Sequence, residues 1–127
     1  MNYWQAQRLM ATARWPHKGK PIGNNTRLYD NDGYYTIRLH NHVIMEIYRE
    51  GFIPMDAGWQ TVTTKARLNE HMEVGHIHQR NFQWYYTIGD TEYLWDDVYF
   101  VMMHPETRVM SPSEYREWKH STMEVEA

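Results

Sequence analysis

The 127 residues contain no cysteine. That excludes a disulfide framework, cysteine-ligated zinc, an iron–sulfur cluster and a thiol nucleophile, and it fits a reducing compartment. No run of about 18 apolar residues is present, so no segment reads as a membrane-spanning helix. The first residues lack the long apolar stretch of a secretory signal. No G-x-S-x-G, Walker loop, G-x-G-x-x-G or H-E-x-x-H occurs, which argues against a serine hydrolase, an NTPase, a dinucleotide enzyme and a zinc protease. Acids are missing from the first 29 residues, which carry Arg8, Arg14, Lys18, Lys20 and Arg27.

What is present fits one domain. The net charge is −3, which argues against a DNA mimic and a bulk polyanion binder. The near-neutral sum hides a split: Glu106, Glu114, Glu117, Glu124 and Glu126 crowd the end of the chain. Aromatics make up 15%, with 6 Trp and 10 Tyr.

Residues 3–14 suit a short helix, ended by Trp15-Pro16 because a residue before proline leaves the α region. Residues 16–25, with two Pro and two Gly, read as a loop. From Thr26 the rhythm changes to period two. TRLY and YYTIRLH flank Asp30-Asn31-Asp32-Gly33, a strong hairpin signal. His40-Asn41-His42 is a further turn, followed by HVIMEIYR. Glu50-Gly51 turns into FIPMD, whose Pro54 suggests an edge strand. Residues 63–73 switch to helix, capped by Thr63 or Thr64 and ended by Gly75. HIHQ, a turn at Arg80-Asn81 and FQWYYTI form another hairpin. EYLWDDVYFVMM reads as a central strand, and Ser113 caps a short helix, EYREWKH, in an acidic tail.

The predicted class is α+β. It comprises an antiparallel meander of about five to six strands, one central helix packed on it, and short N- and C-terminal helices. The expected divisions are a basic helix and loop at 1–25, a core at 26–103 and an acidic tail at 104–127.

Several segments carry a resemblance. They are GKPIGNNTRL (19–28), TIRLHNHVI (36–44), AGWQTVTTKARLN (57–69) and HQRNFQWYYTI (78–88). Together they resemble a group of small bacteriophage proteins of unassigned function with a G-W-x-T-x-T-T-K-x-R-x-N motif. The chain departs from that pattern at His42, Ala57 and Gln60, where threonine, glycine and arginine are usual. The resemblance implies a phage origin and an accessory or host-directed role.

Four constellations could carry chemistry. Thr61, Thr63, Thr64, Lys65, Arg67 and Asn69 gather at the start of the middle helix. Cations in a first turn oppose the helix dipole by roughly a few tenths of a kcal/mol. An anion held by hydroxyls, backbone N–H groups and both cations would explain that misfit. The ordinary alternative is solvation of exposed charges. Trp59 and Arg80 are expected as walls of this ligand site. Arg80, Phe82, Trp84, Tyr85 and Tyr86 form an aromatic and basic hairpin. Phe82, Trp84 and Tyr86 share one face, which either fills the core or stacks bases. His40/His42 and His76/His78, at i, i+2 spacing with His71 nearby, could flank a metal or a scissile phosphate, although eight histidines make chance pairs common. Asp30, Asp32 and Asp96-Asp97 do not match a calcium loop, and turn chemistry explains the first pair. For the second, one bulged or edge carboxylate is the simpler expectation.

These features favour a non-enzymatic, phage-type intracellular accessory. It would bind a host protein, a nucleic acid or a nucleotide-like anionic ligand in the host cytoplasm. The runner-up is a small metal-independent nuclease using His and Lys/Arg. A virion-associated structural protein, or a homo-oligomer joined through a sheet edge, stays open. No cofactor, metal or membrane is implied.

Overall fold

The computed structural model describes the backbone of residues 1–126 and the side chains of residues 1–121. The fold is α+β, with three α-helices and ten antiparallel strands. The first helix, α1 (Tyr3–Ala11), starts with a capping box: Gln5 N–H donates to Asn2 Oδ1 at 2.9 Å and Asn2 N–H donates to Gln5 Oε1 at 2.8 Å. It ends at Ala11, not Arg14, where Thr12 N–H and its hydroxyl turn back to the Leu9 carbonyl.

The strands are β1 (Lys20–Gly23), β2 (Thr26–Asp30), β3 (Tyr35–Leu39), β4 (His42–Ile47), β5 (Gly51–Pro54), β6 (His76–Arg80), β7 (Gln83–Ile88), β8 (Thr91–Leu94), β9 (Phe100–Met102) and β10 (Arg108–Met110). The other helices are α2 (Val62–His71) and α3 (Pro112–Glu126). Seven strands form one sheet in the order β1-β2-β3-β4-β5-β9-β10, and β6-β7-β8 form a second.

The hairpin signals mark real turns. Asp30 Oδ1 accepts from Asp32 N–H at 2.9 Å in the β2–β3 turn, and Asp32 and Gly33 have φ of 57° and 110°. Positive φ suits Gly, Asn and Asp, which is why Asp-Gly marks such bends.

Four expectations are corrected. The strands number ten, not about five to six. The 16–25 segment is not all loop: its Lys20–Gly23 pairs with β2. Strand β5 is internal, between β4 and β9. Pro54 is tolerated there because it lies past the Phe52↔Val101 end of the β5–β9 ladder, where no partner needs its missing N–H. EYLWDDVYFVMM is not one strand. It divides into β8, a 3-10 turn at Trp95–Asp97, and β9 in the other sheet. Two adjacent acids cannot both be buried, so the turn exposes Asp96 and Asp97 and drives Trp95 into the core.

One face of the large sheet presents Leu28, Ile37, Leu39, Met45, Ile47, Phe52 and Val101. These pack against Ala6 and Met10 of α1, Leu68 of α2, and Ile77, Trp84 and Tyr86 of the small sheet. On the opposite face, Ile53, Phe100, Met102 and Met110 pack against Tyr115 and Trp118 of α3. The helix thus covers the β5-β9-β10 end of that face. The amino group of Met1 pairs with Glu73 at 3.3 Å and Arg108 pairs with Glu114 at 3.5 Å; none of the described ion pairs joins the basic start of the chain to its acidic end.

The most constrained backbone position is Gly51. A Cβ there would overlap the carbonyl oxygen of Val101 and sit 2.9 Å from Met102 Cα. Gly51→Ala should therefore cost about 3 kcal/mol, the upper end of ordinary overpacking. Urea denaturation followed by tryptophan fluorescence measures it, and a cost below about 1 kcal/mol would show that β9 moves aside freely.

Candidate ligand site at the start of α2

The β3–β4 hairpin, the β5–α2 loop and the first turn of α2 meet around a cavity of about 360 Å³. Leu39, Ile44 and Ala57 give it an apolar floor. Its polar lining comes from His40, His42, Asp56, Trp59, Thr61, Thr63 and Thr64. A cavity this size lies at the lower end of the range for small-molecule sites.

Each wall has a local cause. In the β3–β4 turn His40 and Asn41 have φ of 51° and 68°, so the bend is a two-residue one and β4 begins at His42. His40 is therefore a turn residue, not a strand partner of His42. Register places His42 opposite Leu39, on the core side of the sheet. The β5–α2 loop is organised by Asp56. Its Oδ1 accepts from Gly58 N–H at 2.8 Å, and its Oδ2 accepts from Gln60 at 3.1 Å and Trp95 Nε1–H at 3.0 Å. Burial alone would raise the Asp56 pKa. The hydrogen bonds from Gly58, Gln60 and Trp95 outweigh it and hold the carboxyl below its ordinary value. This loop presents Trp59 to solvent at 61% exposure.

The cap of α2 is Thr61, not Thr63 or Thr64. Its hydroxyl accepts from Thr64 N–H at 3.1 Å and lies 3.0 Å from the buried Thr64 hydroxyl. The helix starts at Val62, so Lys65 closes the first turn and Arg67 belongs to the second. Lys65, four residues after Thr61, continues the same side of the helix. Arg67 donates through Nε to Thr26 Oγ1 at 3.2 Å and pairs with Glu70 at 3.4 Å, which ties α2 to β2. Asn69 works at the other end: its amide exchanges two bonds with the Ile77 backbone, at 2.6 and 2.9 Å, and fixes α2 to β6.

The structure thus brings Trp59, Thr61, Thr63 and Thr64 to one cavity. Arg80 lies elsewhere, on the open face of the small sheet. It holds Glu92 through two bonds of 2.8 and 3.2 Å and covers the Tyr85 ring at 4.3 Å. The β6–β7 turn is Asn81-Phe82, one residue later than expected, with φ of 52° and 66°. Phe82 is accordingly 93% exposed, while Trp84 and Tyr86 fill the core. His78 sits 2.9 Å from Thr87 Oγ1 and 3.3 Å from Glu92, and His76 lies beside it with 5.6 Å between ring centroids. His71 is buried on α2; desolvation lowers its pKa and favours the neutral ring. Among the described residues no three His, Asp or Glu groups converge on a metal position. No helix among the described residues is long and apolar enough to cross a membrane. Sequence reasoning missed His40, His42 and Asp56 as cavity residues. Their union depends on how the β3–β4 turn folds against a loop 16 residues later, and no local pattern encodes that.

Comparison with known families places this fold among phage proteins. The chain belongs to the Kyanoviridae Gp96 protein family, whose model matches residues 7–106. No curated protein and no solved structure matches it.

Two outcomes follow from the loop. Ala57 has φ of 55°, which is unfavourable for a side chain with a Cβ. Ala57→Gly should stabilise by about 1 kcal/mol, seen as a higher urea midpoint at unchanged m-value; destabilisation would show that the Ala57 methyl in the cavity floor outweighs the strain. Asp56 has a folded pKa below its unfolded one, so its contribution is complete above the ordinary carboxylate pKa near about 4. That contribution is lost as pH falls through the folded value. Asp56→Asn should therefore lose less stability than the wild type on acidification, measured by denaturation at stepped pH. Parallel acid limbs would remove Asp56 as the organiser of the loop.

Proposed function

We propose that this phage protein is a non-enzymatic accessory that binds a nucleotide-like anionic ligand, free or within a host nucleic acid, in the host cytoplasm. The cavity at the start of α2 supports the reading most directly. Its apolar floor and the exposed Trp59 indole suit a flat heteroaromatic ring, which stacks favourably on such a surface. The Thr61 and Thr63 hydroxyls offer donors, and the helix dipole favours an anion near the first N–H groups. Lys65 supplies the nearby full charge. Arg67, already engaged with Thr26 and Glu70, serves more as a strut.

A second reading, a metal-independent nuclease, draws on one observation: His40 and His42 line the same cavity. General acid–base cleavage needs two such groups at hydrogen-bonding reach of the scissile phosphate. Asp56 is a poor base for it, because its oxygens already accept three hydrogen bonds.

Titration with AMP and with a short oligothymidylate, read by tryptophan quenching, tests the first reading. Trp59→Ala should remove the response, and Lys65→Ala should weaken oligonucleotide binding and lower its salt slope by about one. The double change Lys65→Ala with Arg67→Ala should weaken it further and leave the far-ultraviolet circular dichroism unchanged. No quenching by either probe refutes the binding reading. Cleavage of RNA that His42→Ala abolishes would replace it with the nuclease.

A further inference from the structure

The opposite face of the large sheet carries a second cavity, which shares only the turn residue His40 with the α2 cavity. Arg27 and Arg38 stand directly opposite each other across β2 and β3. Like charges in that position repel, and a sheet avoids them unless something compensates. A carboxylate is the usual remedy. Among the described residues neither arginine forms an ion pair with one. Arg27 Nη1 reaches only the carbonyls of Lys18 and Gly19, at 3.3 and 3.4 Å. The Arg38 guanidinium carbon lies over the Tyr29 ring, 4.2 Å from its centroid, and its Nε is buried without a hydrogen-bond partner. A cation–π contact holds a guanidinium in place and leaves its terminal Nη–H groups able to donate.

The two arginines open onto a cavity of about 340 Å³ whose remaining lining is Asn25, His40 and Asn41. No acid contributes to it. The acid-free start of the chain has a structural counterpart here, since β1 and β2 carry no carboxylate before Asp30. Among the described side chains of α3, Tyr115 and Trp118 pack at the β5-β9-β10 end of this sheet face, strands away from the two arginines.

We infer that this cavity is a phosphate-binding site, in which Arg27 and Arg38 bind one phosphate group and the Asn25 and Asn41 amides complete its donors. Guanidinium forks match phosphate oxygens in pairs, and one bound dianion converts the cross-strand repulsion into two attractions. The phosphate can belong to a nucleic-acid backbone or be free in solution. The site lies across the sheet from the Trp59 cavity and does not depend on it.

The test uses the full chain and two probes: inorganic phosphate, followed through the arginine side-chain resonances, and a labelled oligothymidylate, followed by anisotropy between about 50 and 200 mM salt. Arg27→Gln should weaken binding about tenfold, as loss of a charged hydrogen bond does. It should also lower the salt slope for the oligonucleotide by about one. Arg38→Lys keeps the charge and loses the fork, and should fall between. Without any anion present, Arg27→Gln should raise the melting temperature at low salt, because the repulsion is gone; this reading keeps the test sound if Arg38 variants fold poorly. Competition between the two probes identifies a site for phosphate in general. Oligonucleotide binding that phosphate cannot displace, but that Arg27→Gln weakens, assigns the site to a nucleic-acid backbone. Failure of both probes to bind, or binding indifferent to both substitutions, overturns the site. Oligonucleotide binding lost in Trp59→Ala but unchanged in both Arg27→Gln and Arg38→Lys would overturn it too, while leaving the α2 cavity as the binding surface.

Discussion

The carboxylate of Asp56 is the contact on which the arrangement of this molecule turns. One oxygen shapes its own loop through Gly58, and the other reaches Gln60 and the indole of Trp95. Trp95 packs edge-on against Trp84 of the small sheet at 5.7 Å. A single side chain therefore ties the β5–α2 loop to the junction where the chain crosses back between sheets. Hydrogen bonds to an ionised group are among the stronger ones, and a half-buried carboxylate left without them carries a large desolvation cost. The loop conformation, the entry of α2 and the position of Trp95 are consequently fixed together. Trp59 and Thr61 inherit their positions from the same bond set.

Much of the sheet was readable because its inputs are local. Alternation in 35–39 sets which residues of β3 enter the core and Asp-Gly sets where the chain reverses, whereas in β4 a bulge breaks the alternation, turns Val43 to the Arg38 side and puts both Ile44 and Met45 in the core. The alternation and the turn signal both depend on neighbours a few residues apart. The α-helical switch near Thr61 is of the same kind. What was not readable depends on partners distant in sequence. Lys20–Gly23 is a strand because β2 offers it an edge, even though its own composition says loop. Arg108–Met110 is a strand because β9 does. The apolar run after Thr91 looks continuous, yet it breaks where two acids must reach water and the chain must change sheets. Phe82 was misplaced for a smaller reason. A turn shifted by one residue removed it from the aromatic stripe, leaving Trp84 and Tyr86 to pack.

The candidate site shows the same division. Trp59, Thr61, Thr63 and Thr64 were found because a helix start is a local feature. Lys65 and Arg67 drew notice as misplaced cations, but the cap at Thr61 shifts the frame and moves Arg67 out of the first turn. Its charge is then explained by Glu70 and its reach by Thr26. Arg80 is explained likewise by Glu92 and Tyr85. A cation near a feature that favours anions is weak evidence until its partners are known.

That criterion leads to a different pair. Arg27 and Arg38 are 11 positions apart, and nothing in their local sequence brings them together. Only the register of β2 on β3 does so, and it was fixed by the apolar residues Leu28 and Ile37 pairing on the other face. The core thus forces the two charges into opposition: sliding the register by one residue to separate them would turn the apolar set outward. Each buried aliphatic side chain is worth about 1.5–3 kcal/mol, several times the cost of one cross-strand repulsion. The fold can carry that repulsion, and the paired guanidinium groups become a fixed feature of that face.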